Sequence, residues 1–159
     1  MFEKPKPLGR MLRAGIAALL IASPGPALAQ TTSDYAVVDD VGMYLAVLPA
    51  EMLREYPRGS EESRMHGGVP GGKHVHHLQV ALFDSKTNAR ITEAEVSVTV
   101  AEVGLPGISK DLGPFTIGGA LTYGGFFEFQ KSDLYEVKVR ALLPEDGRVI
   151  EKTFEYEHF

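Results

Sequence analysis

A chain of 159 residues with 16 basic and 21 acidic side chains carries a formal charge of −5, and it contains no cysteine. An acidic surface repels phosphate backbones and anionic lipid heads, so nucleic acid and membrane surfaces are poor partners and cations are suitable ones. Without cysteine there is no disulfide framework, and the fold must rest on a packed core.

Residues 1–29 read as an address rather than a fold. Lys4, Lys6, Arg10 and Arg13 form a positive start, and Ala14 to Ala22 is a run of nine apolar residues. Pro24 and Pro26 then break any helix, and Ala27-Leu28-Ala29 supplies the small-x-small site of a signal peptide, cleaved after Ala29. The run is too short to anchor the chain, since a membrane-spanning helix needs about 20 apolar residues. No adjacent arginines are present, which favours the general secretory route and a periplasmic destination. Cleavage removes four basic residues and one acidic one, leaving 12 against 20 and a formal charge of −8 on residues 30–159. That length predicts one domain, which buries about two-thirds of its surface on folding.

Beyond the leader, the chain reads as short strands between turns. Val41 to Leu48 is apolar and rich in β-formers. Pro49 to Arg58 has at most a helical turn, and Gly59 to Gly72 reads as a polar loop. A strong strand runs from His74 to Phe83, ended by the turn residues Asp84 to Asn88. Ala94 to Ala101 alternates, with Val96, Val98 and Val100 on one face. Gly104 to Gly107 breaks the chain, and Leu121 to Phe129 is aromatic and apolar around Gly124-Gly125. Leu134 to Leu143 alternates again, Pro144 to Gly147 is a tight turn, and Val149 to His158 puts Phe154, Tyr156 and His158 on one face. About seven strands without intervening helices predict an all-β, immunoglobulin-like antiparallel β-sandwich. Its core should include Val80, Leu82, Val96, Val98, Val100, Tyr135, Val137, Val139, Phe154 and Tyr156.

Four of the five histidines fall between His66 and His77. Residues two apart on a strand point the same way, so His74 and His76 share the face of Leu78, Val80 and Leu82. His77 points the other way, with Gln79. The glycines before Lys73 let the loop fold back, bringing His66 or Met65 within reach. His158 ends its strand on the face of Phe154 and Tyr156, whereas His74 begins its own, so antiparallel order should bring the imidazoles together at one end. His74, His76, His66, Met65 and His158 are therefore the candidate metal ligands, with Glu51 and Met52 as additional ones. Imidazole with thioether suits copper, and imidazole with carboxylate also accepts iron or zinc. No catalytic constellation stands out: there is no thiol, no Gly-x-Ser-x-Gly elbow and no phosphate-cradling Gly-rich loop of a βαβ unit.

Taken together, the segments His77 to Asp84, Thr87 to Ile91, Glu95 to Val100, Thr122 to Gly125 and Leu134 to Val139 resemble small periplasmic immunoglobulin-like proteins of the YtkA/FixH-like type. More distantly they resemble the periplasmic iron-uptake accessory proteins that bind copper. The resemblance, over about Met43 to His158, implies a sandwich that holds a transition metal with His, Met and Glu near one end, often as a homodimer. By position, His74, His76 and the Met65-His66 loop are the matching residue types. The iron-uptake proteins place a ligand His directly before Tyr-Gly, and here that position is Thr122. The expected function is non-catalytic binding or trafficking of a copper or iron ion, with a membrane metal transporter or another envelope protein as partner. The other reading is a metal-free immunoglobulin-like adaptor that binds an envelope protein.

Overall fold

The computed structural model describes residues 32–130 and 133–159. The expected signal peptide and its cleavage site lie outside the described residues. Eight strands follow one another: β1 (Thr32–Val38), β2 (Val41–Pro49), β3 (Val75–Asp84), β4 (Glu95–Glu102), β5 (Ile108–Ile117), β6 (Ala120–Glu128), β7 (Asp133–Leu143) and β8 (Arg148–His158). Their order across the sheet is β1-β2-β3-β6-β5-β4-β7-β8, with every pairing antiparallel. The sheet folds over on itself, so that β1 comes alongside β8 and the sandwich is nearly a barrel.

The strands exist because their inward positions are apolar at period two. Met43, Leu78, Val80, Leu82, Val98, Val137 and Val139 are completely buried. The ten residues expected in the core are all there, none more than 6% exposed. Sharp turns carry the residues that tolerate a left-handed backbone. Asp39 and Asp40 take φ of 47° and 64° in the two-residue link between β1 and β2, the conformation that a type I′ hairpin requires. After β3, the Asp84 carboxylate accepts hydrogen bonds from the Thr87 N–H and hydroxyl and from the Lys86 N–H.

Two strands are added to the expected set. β1 precedes the first one read from the sequence. β5 carries Lys110, Asp111, Gly113 and Pro114, a composition that masks it as a loop. It tolerates them because it changes partners midway, pairing first with β4 and then with β6. Residues 50–74 are also more structured than expected. They include α1 (Ala50–Arg54), α2 (Glu61–Arg64, capped by the Ser60 hydroxyl, which accepts from the Ser63 N–H) and a 3-10 turn at Met65–Gly67. This segment lies over the outer face of the sheet at the start of β3, where Val75 and His77 are buried as fully as the inward residues.

Candidate metal centre

The five histidines form two groups, one on each face of β3. On the inner face, His76 is 4% exposed and His158 8% exposed. β3 and β8 are far apart in strand order, but the fold sets the start of one opposite the end of the other across the sandwich. The ring centroids of His76 and His158 are 4.8 Å apart and those of His74 and His158 are 6.1 Å apart, both pairs nearly perpendicular. Phe129, Tyr135 and Tyr156 pack around them.

One of these rings has a nitrogen fixed. His76 Nδ1 lies 3.1 Å from the His74 carbonyl oxygen, which can only accept, so Nδ1 carries the proton and Nε2 keeps its lone pair. The Phe129 backbone acts on His158 in the sense that favours a protonated ring nitrogen. Fixing one ring nitrogen on a carbonyl is how proteins orient a metal-binding imidazole. Burial holds the His76 pKa below its ordinary value. The His74 carbonyl opposes that shift, the His158 charge adds to it, and the charge of Glu51 opposes it from the segment after β2. Burial also lowers His158, reinforced by His74. These rings are therefore neutral near pH 7 and able to donate lone pairs. Two imidazoles on one ion, with bonds of about 2 Å, hold their ring centres roughly 5 Å apart. The two observed separations bracket that value. Among the described residues, no three His, Asp or Glu side chains stand as a preformed metal-binding group. Closing the trio on an ion therefore requires ring rotation, for which the exposed His74 has the most room.

His66 and Met65 do not join this trio. Met65 is buried in the covering segment, and His66, held at φ 50°, turns to the outer face of the sheet. There its ring centroid lies 5.3 Å from that of His77. Phe115 and Phe126 stand edge-on to His66 and close the box around His77. Two glycines make the room. A Cβ at Gly124 would come within 2.8 Å of His77 Nε2, and one at Gly113 within 3.2 Å of His66 Nδ1. His77 is completely buried, and neither of its ring nitrogens has a hydrogen-bond partner among the described residues, nor does the buried Thr122 hydroxyl oxygen. Burial, reinforced by His66, pushes the His77 pKa down to about 3, and partial burial lowers His66. The sequence had set His77 aside as pointing away from the core. The cue that it missed is the length of residues 50–74, enough chain to cover that face. Met52 is half-buried and lines a hollow with Leu53 and Tyr56.

No protein-family model matches the chain, and no curated protein matches it in sequence. Solved structures share its fold. A copper-bound variant of FetP from uropathogenic Escherichia coli strain F11 superposes with a TM-score of 0.62 at 14% identity, covering 81% of this chain and 97% of that one. FetP as isolated gives 0.61 at 13%, covering 81% and 96%. A DUF4426 family protein from Pseudomonas aeruginosa PAO1 gives 0.60 at 12%, covering 80% and 94%. The likeness extends over the whole sandwich, and it does not single out the YtkA/FixH-like domain.

Proposed function

We propose that this protein binds a transition-metal ion, copper or iron, in the periplasm and passes it on without catalysing a reaction. The observation that carries the reading is the His76–His158 contact: two buried, neutral imidazoles, with His76 Nδ1 fixed on the His74 carbonyl. His74 would complete the donor set, with the Glu51 carboxylate near enough to act electrostatically on His76. His66 and His77 offer a further pair of nitrogens on the other face of the same strand. Nitrogen donors with a carboxylate suit Cu(II) and also accept iron. The fold likeness to a copper-bound FetP supports the same reading. A periplasmic location agrees with the leader read from residues 1–29, and no helix among the described residues is long and apolar enough to cross a membrane. A membrane metal transporter, another envelope protein or a second copy of the chain would be the natural recipient.

Titration calorimetry with Cu(II), followed by electron paramagnetic resonance of the loaded protein, tests the proposal. It expects saturable binding and hyperfine splitting from two or more nitrogens. Heats no larger than those of dilution would leave the metal-free adaptor as the better reading, in keeping with the absence of a preformed three-residue group.

A further inference from the structure

The sandwich has an open seam, created by the strand that changes sheets. β5 pairs with β4 over Ile108–Leu112 and then with β6 over Gly113–Ile117. β6 keeps β3 beside it as far as Glu128. On its other side, no strand among the described residues pairs with Gly125–Glu128. A cleft of about 440 Å³ opens there, with Phe127 and Tyr135 at its apolar floor and the exposed Leu105 and Ile108 on the opposite wall.

The β6 backbone faces this cleft with edge groups that no strand among the described residues pairs. Alternate residues of a strand aim their N–H and C=O to the same side. The Phe129 N–H goes to the His74 carbonyl on the β3 side, so Phe126 and Glu128 aim theirs at the seam. Lys110 confirms the direction. Its Nζ crosses the cleft over the Phe127 ring and donates to the Phe126 carbonyl at 2.7 Å, where the N–H of a neighbouring strand would otherwise stand. Among the described residues of the lining, Lys110 is basic and Glu102 and Glu128 are acidic.

We propose that this seam is a docking groove for a short extended segment of a partner protein, apolar at its centre and bearing lysine or arginine, which adds as a strand to the free edge of β6. Strand addition draws its affinity from main-chain hydrogen bonds and its specificity from pockets for alternate side chains. The seam provides both. Four residues of free edge span roughly 13 Å, the apolar floor takes one or two side chains, and the two glutamates favour a basic flank. The incoming segment replaces the Lys110 ammonium at the Phe126 carbonyl. The seam borders the histidines through Phe126 and Tyr135, but its docking groups are backbone ones, so the proposal stands whether or not a metal is bound.

The test is a heteronuclear NMR titration of the 15N-labelled protein with a capped Lys-Val-Thr-Val-Thr-Val-Lys peptide. The expected result is saturable movement of the Phe126 and Glu128 amide signals, with slowed hydrogen exchange at both. A peptide with glutamate in place of lysine should bind at least about threefold more weakly, and the Leu105→Ser/Ile108→Ser protein should lose about tenfold in affinity. Both substituted residues are more than half exposed, so that variant keeps its fold. No movement at millimolar peptide overturns the proposal. Equal binding of a peptide N-methylated along its central backbone overturns it in favour of a pocket for small apolar ligands. Concentration-dependent shifts at the seam without peptide overturn it in favour of a second copy of the chain.

Discussion

The imidazoles of His76 and His158 meet edge to face with centroids 4.8 Å apart, although one lies at the start of β3 and the other at the end of β8. The contact is made across the sandwich rather than along a ladder, so it depends on the two sheets keeping their spacing. His158→Ala should therefore open a gap beside Phe129 and Tyr156, its ring neighbours. A loss of about 1–3 kcal/mol in urea unfolding is expected, with the m-value unchanged.

The metal-free protein should lose stability as the pH falls below about 6.5. His77, His76, His158 and His66 all have folded-state pKa values lowered by burial. The unfolded chain therefore binds more protons below pH 6.5, and stability rises with pH through that window. For His77 the window runs from 6.5 down to about 3, contributing up to about 1.4 kcal/mol per pH unit. Urea unfolding at a series of pH values should show this slope, and His77→Leu should flatten it by about one proton.

Gly124→Ala should be costly. The added Cβ would lie 2.6 Å from Phe115 Cε1 and 2.8 Å from His77, so both rings would have to move. Overpacking of this kind costs about 1–3 kcal/mol. The histidine resonances should report it, with His66 and His77 shifting and His74, on the far face of β3, unmoved.

Met43 should matter for stability alone. It is completely buried between β1 and β3, paired with Ala36 and Leu82. Met43→Ala should cost about 2–5 kcal/mol in chemical denaturation and leave copper affinity unchanged.

The alternating valines of β4 and β7 made the core readable from sequence, because period two with one apolar face has one burial solution. The same parity placed His74 and His76 on one face and brought them toward His158. It also put His77 on the opposite face, where it lies. Parity assigns a face, but it does not say whether more chain covers that face, and here residues 50–74 do. His66 was grouped by closeness in sequence with His74 and His76, yet its left-handed backbone turns it to His77 instead. β5 was hidden by Gly113 and Pro114, which a strand accepts where it leaves one partner for another.

The central claim is that the buried histidines gather to hold a metal ion, and a thermal melt with and without Cu(II) tests it most directly. At 100 to 1,000 times the dissociation constant, binding to the folded state adds about 3–4 kcal/mol. For a domain of this size that corresponds to a rise of about 10 °C in Tm. The His74→Ala/His76→Ala protein should lose most of that rise while still melting cooperatively. A parent that melts at the same temperature with and without Cu(II), or a double variant that gains as much as the parent, would contradict the account.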